Sequence, residues 1–107
     1  MAPQRDPDSG VVTETRTEKK LARPKLFRVL LHNDNYTTRD FVVAVLREVF
    51  HRSEGEAVQI MLHVHNNGIG VAGVYTYDVA ATKVRMVEAL AKDQGFPLRL
   101  SMEPEET

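Results

Sequence analysis

The feature that most constrains this chain is the change of pattern between Leu26 and Phe50. Leu26-Phe27-Arg28-Val29-Leu30-Leu31 is a short, mostly apolar run, a length more typical of a strand than of a helix. Phe41, Val42, Val45, Leu46, Val49 and Phe50 then recur at helical spacing, with Arg47, Glu48 and Arg52 filling the other face. Between the two lies His32-Asn33-Asp34-Asn35-Tyr36-Thr37, too polar to belong to either core. The pattern reads as strand, turn and helix, the helix running over about 38–51 with Thr37 as its N-cap and Asp40 as capping-box partner. Asn33, Asp34 and Asn35 thus sit in a short connection between two rigid elements, where acceptor side chains can grip a cationic or amide group. Asn and Asp are also good turn formers in their own right, and on these residues alone that plainer reading is the one to favour.

The rest of the chain repeats the alternation. Ser53-Glu54-Gly55-Glu56 is an S-x-x-E capping box, and Ala57, Ile60, Met61 and Val64 continue at i, i+3, i+4 and i+7, predicting a second helix that stops near Asn66-Asn67-Gly68. Residues 69–76 are β-branched and small and read as a strand, with glycines that permit a bulge or a close neighbour. Thr76 is placed to cap a third helix over about 77–93, marked by Val79, Lys83, Met86, Val87 and Leu90 and ended by Gly95 with Pro97 beyond. Leu98-Arg99-Leu100-Ser101-Met102 alternates with period two and makes a last strand. The order β-α-α-β-α-β predicts an α+β fold, an antiparallel or mixed three-stranded sheet covered on one face by three helices.

Residues 1–25 contain no aromatic residue and three of the five prolines. Such a segment cannot offset its ordering entropy by burial, so 1–24 is expected to be a flexible extension ahead of a domain spanning 25–104. A chain of 107 residues predicts one small domain with a single core. It has no cysteine, which excludes disulfides, thiolate zinc sites and a cysteine nucleophile. Fourteen Lys and Arg stand against 15 Asp and Glu, so there is no electrostatic footprint for nucleic acid. No signal-peptide pattern and no run of about 20 apolar residues is present. A cytoplasmic, monomeric protein that binds neither nucleic acid nor membrane, and needs no cofactor, is expected.

An enzyme reading has little to stand on. His63 and His65 would converge on one face of a strand, but on a helix positions i and i+2 point about 200° apart and cannot share an ion. A small metal-dependent hydrolase would need His32 or His51 as well. No nucleophile motif, phosphate loop or close carboxylate pair appears, and a binding module is the better class.

Taken together, several stretches resemble the ClpS family, adaptors that recognise N-terminal degradation signals for the Clp protease. They are Leu30-Leu31-His32-Asn33-Asp34-Asn35-Tyr36-Thr37, Phe41-Val42-Val43, Ile60-Met61-Leu62-His63-Val64-His65, Gly73 to Lys83, and Pro97-Leu98. The resemblance spans about 25–103. It implies a non-enzymatic adaptor that binds proteins beginning with Leu, Phe, Tyr or Trp and delivers them to the ClpA unfoldase of the ClpAP protease. It further implies that Asn33, Asp34 and His65 hold the substrate ammonium, and that Val42, Met61, Val64 and Leu98 line an apolar pocket with Thr37 at its rim. Asp78 and Lys83 match positions that face the N-terminal domain of ClpA. The C-terminal domain of the ribosomal stalk protein is a similar sandwich, but lacks the polar turn paired with His65.

Two departures from the family pattern stand at this turn. Asn35 replaces an aspartate, and Arg39 replaces a methionine at the pocket entrance. A cation in the first turn of a helix opposes the macrodipole, which points to a functional reason for Arg39.

Overall fold

The computed structural model describes residues 23–106. Six elements follow one another: β1 (Leu26–His32), α1 (Arg39–Glu48), α2 (Glu54–Asn67), β2 (Ile69–Thr76), α3 (Tyr77–Gln94) and β3 (Arg99–Pro104). The α+β class and the element order expected from the pattern are both present. Residues 1–22 of the expected extension lie outside the described residues.

The sheet is wholly antiparallel, in the order β2-β1-β3. β1 is central, with hydrogen-bonded neighbours on both edges and one face buried. Val29 and Leu31 on that face are completely buried, and Leu31 pairs with Leu100 across the β1–β3 ladder. A bulge in β2 sets Ala72 opposite no partner, since Val29 pairs with Gly73 and Leu30 with Val71. Ala72 and Gly73 are consequently both buried, and the Arg52 Nε–H donates to the Ala72 carbonyl at 2.9 Å. The bulge thus has a charged donor to itself.

α3 lies across all three strands, α1 packs on α2, and α2 packs on β2. Leu46, Ala57, Ala80, Val87 and Ala91 bring the helices onto the sheet's inner face. The outer face carries the Arg28–Glu103 ion pair at 2.6 Å, the His32–Ser101 hydrogen bond at 2.7 Å, and the partly exposed Ile69, Val71 and Val74.

Local chemistry sets the helix ends, with two corrections to the sequence reading. The N-cap of α1 is Thr38, not Thr37: Thr38 Oγ1 accepts from the Phe41 N–H at 3.1 Å, so position N3 is Phe41 and Asp40 closes no box. Thr37 is unavailable because the Asp34 carboxylate takes both its N–H and its hydroxyl. α1 also ends at Glu48 rather than near 51, because His51 adopts a left-handed φ of 57° that stops the helix. The α2 capping box forms as read, Ser53 and Glu56 exchanging both bonds. Gly68 (φ 89°) and Gly95 (φ 78°) terminate α2 and α3 in the left-handed region that favours glycine. Thr76 occupies the N-cap position of α3 without a side-chain capping bond. Lys83 Nζ donates to the Val49 carbonyl at 2.6 Å and lies 5.2 Å from the Tyr75 ring centroid, which ties the end of α1 to α3.

At Gly70 α2 lies close against the sheet: a Cβ there would stand 2.7 Å from Val64 Cγ2. Gly70→Ala should therefore force α2 outward and destabilise the fold by about 1–3 kcal/mol, the usual cost of overpacking. Urea denaturation of the two proteins measures this directly.

Candidate functional site

The last turn of α2 and the connection after β1 meet because the sheet ladder continues past His32. The Asn33 N–H donates to the Gly68 carbonyl at 2.9 Å, pinning the start of the polar connection to the C-cap of α2. Residues 33–38 then turn away into α1, and a cleft of about 390 Å³ opens between the connection, the first turns of α1 and one face of α2. Its volume is at the lower end of the range for small-ligand sites, about 300–1,000 Å³.

Asn33, Asp34, Thr37, Arg39, Val42, Met61, Val64 and His65 all line this cleft. Met61, Val64 and His65 share one face of α2 by their i, i+3, i+4 spacing. Val42 and Val64 are 8% and 5% exposed, so they form the wall while remaining part of the core. Leu98 is placed differently. It is 6% exposed, lies just ahead of β3, belongs to the core, and is not among the residues that line the cleft. Its apolar character was legible; its neighbours depend on how the chain returns from α3. Asn35, Tyr36 and Thr38 also line the cleft. Tyr36 is 76% exposed, and an aromatic in a polar connection was the available sign.

Asp34 builds the connection. Its Oδ1 accepts from the Tyr36 and Thr37 N–H groups at 2.8 and 2.7 Å, and its Oδ2 from the Thr37 hydroxyl at 2.8 Å. Partial burial pushes its carboxyl upward, but the bonds from Thr37 and Tyr36 outweigh that and hold it below the ordinary aspartate value. Three of roughly four acceptor sites on an ionised carboxylate are thereby used. One site and the negative charge remain for a ligand.

Also lining the cleft, the Arg39 guanidinium donates from Nη2 to His65 Nε2 at 3.1 Å. His63, two residues earlier, turns the other way and meets Asn67, as helical geometry requires. His32 is engaged with Ser101 on the outer sheet face. Among the described residues no group of three or more His, Cys, Asp or Glu side chains is placed to hold a metal ion. The cleft thus combines acceptors (the Asn33, Asp34 and Asn35 oxygens, His65) with an apolar wall (Val42, Met61, Val64), the complement of a group cationic at one end and hydrocarbon next to it.

Asp78 and Lys83 lie elsewhere, on α3. With Val79, Thr82 and Met86 they line a shallow groove of about 270 Å³. Asp78 is exposed, whereas Lys83 is half-buried with its ammonium turned to the Val49 carbonyl.

Comparison with known proteins gives a consistent set of likenesses. Residues 22–101 match the family model described as ATP-dependent Clp protease adaptor protein ClpS. The chain is 67% identical over 106 residues to a Myxococcus xanthus protein named ATP-dependent Clp protease adapter protein ClpS, covering 99% of both chains. It is 55% identical over 105 residues to the protein of that name from Desulfatibacillum aliphaticivorans, covering 98% of this chain and all of the other. Among solved structures, Agrobacterium tumefaciens ClpS2 bound to L-phenylalaninamide superposes with a TM-score of 0.74 at 44% identity, over 78% of this chain and all of that one.

The Asp34 bonds give a pH prediction. A carboxyl whose folded value is lowered stabilises the fold fully above its unfolded value, about pH 4, and loses that contribution as pH falls through the lower folded value. In an NMR titration the Tyr36 and Thr37 amide shifts should therefore move with a midpoint below that of an ordinary aspartate, and Asp34→Asn should abolish the transition.

Proposed function

The chain belongs to the ClpS family of ATP-dependent Clp protease adaptors, and on that footing we propose that its cleft receives the free N-terminus of proteins beginning with Leu, Phe, Tyr or Trp. The observation that carries the reading is the juxtaposition of Asn33, Asp34 and His65 with Val42, Met61 and Val64 around one small cleft. An N-terminal ammonium, which only donates, is met by the acceptors. The first side chain is met by the apolar wall, where the flexible thioether of Met61 adapts to aliphatic and aromatic guests alike. L-phenylalaninamide, the ligand of the Agrobacterium protein, has both parts: a free amine and a phenyl ring.

The energies are adequate for an adaptor. Burying one Leu or Phe side chain is worth about 1.5–3 kcal/mol, and each hydrogen bond to a charged group about 1.5–3 kcal/mol. After association costs, a short peptide binds in roughly the micromolar to submicromolar range. Tighter capture comes from adaptor and substrate both touching the unfoldase.

The unfoldase in this reading is ClpA, and its N-terminal domain docks on α3 around Asp78 and Lys83. The groove lined by Asp78, Val79, Thr82, Lys83 and Met86 supports this. Asp78 offers the exposed charge, while Lys83 also holds the end of α1.

Fluorescence anisotropy with a labelled peptide beginning with Phe, beside its N-acetylated twin and a twin beginning with Ala, tests the cleft. Only the free-amine Phe peptide should bind, and His65→Ala should weaken it roughly tenfold, the loss of about one 1.4 kcal/mol contact. Equal binding of all three peptides would overturn the reading. For the second surface, Asp78→Lys should weaken binding to the isolated ClpA N-terminal domain by about tenfold, in the range of a charge reversal within an interface, read by calorimetry.

A further inference from the structure

Arg39 is the one residue of the cleft that works against its surroundings. It occupies the first position of α1, where a cation opposes the helix dipole, and among the described residues it forms no salt bridge. Instead its Nη2 donates to His65 Nε2. Because a guanidinium has no acceptor, Nε2 must be the accepting nitrogen in this contact.

An incoming ammonium also only donates, so it needs the same lone pair. Two cations therefore compete for one acceptor, and ligand entry has to dislodge Arg39. Asp34 is a poor alternative partner for it, since Thr37 and Tyr36 already use three of its acceptor sites. Asn35 beside it is neutral. With the ammonium in place, the rim carries one negative charge from Asp34 and two positive charges from Arg39 and the ligand. A carboxylate on the ligand itself restores neutrality and gives the freed guanidinium a bidentate partner.

The first side chain of the ligand is spent on the apolar wall, so the side chain nearest the rim is that of the second residue. We propose that Arg39 is a displaceable latch on His65 whose freed guanidinium selects N-termini with Asp or Glu at the second position. This rests on the N-terminus-binding reading above and adds to it a rule for the next residue.

The test uses the full chain and three labelled peptides that begin Phe-Glu, Phe-Ala and Phe-Lys and share one tail. Wild-type protein should prefer Phe-Glu to Phe-Lys by about three- to tenfold, the scale of an exposed ion pair gained against a repulsion avoided, and less at high salt. The ratio should fall to near one in Arg39→Met and invert in Arg39→Glu, which a purely steric role would not produce. Equal wild-type affinities for Phe-Glu and Phe-Lys, or a preference that survives in Arg39→Met, overturns the latch while leaving N-terminus binding intact. Failure of all three peptides to bind overturns the parent reading and this one with it.

Discussion

The site depends on β1 being the middle strand. A central antiparallel strand has both edges hydrogen-bonded and one face buried, here with Val29 and Leu31 at zero exposure, so its end has little freedom. The ladder to β2 then runs one residue beyond the strand, in the bond from Asn33 N–H to the Gly68 carbonyl. That carbonyl belongs to the left-handed residue that ends α2. One hydrogen bond thus joins the polar connection to the helix bearing Met61, Val64 and His65. With the packing of α1 on α2, it helps to set the spacing between the acceptors and the apolar wall.

The connection itself is held from inside. Asp34 folds residues 34–37 around its own carboxylate, and Thr38 then starts α1 with an ordinary cap. A turn stiffened this way presents acceptor groups without ordering them anew for each ligand, which lowers the entropic cost of binding. The far end of α1 is secured by Lys83 on Val49, so both ends of the helix carrying Val42 are tethered. The proposed adaptor role would use two separate surfaces, the small cleft between α1 and α2 and the face of α3 where Val79 and Met86 are exposed.

Most of the fold was legible because its signals are local. The Ser53–Glu56 box, the stops at Gly68 and Gly95 and the helical spacing of Phe41 to Phe50 each involve residues a few positions apart. The two misplaced helix ends show where local signals run out. Thr37 and Thr38 are equivalent caps by composition, and only the capture of Thr37 by Asp34 decides between them. Val49 and Phe50 continue the apolar spacing of α1, yet the backbone leaves the helix around them because His51 turns left-handed. The bulge at Ala72 was allowed by the glycines around it, but its position is a property of the pairing with β1.

The sequence by itself determined the α+β class, the order of elements and, through the resemblance to ClpS adaptors, the family. Those depend on periodicity, capping chemistry and residue type, which each segment carries alone. Tertiary structure decided that Val42 and Val64, though buried in the core, also reach the wall of the cleft, and it set the buried Leu98 in the same core just ahead of β3. It also decided that Arg39 meets His65, 26 positions away. Such pairings follow from strand register and helix packing, where energies are shared across the whole core, and no segment contains them.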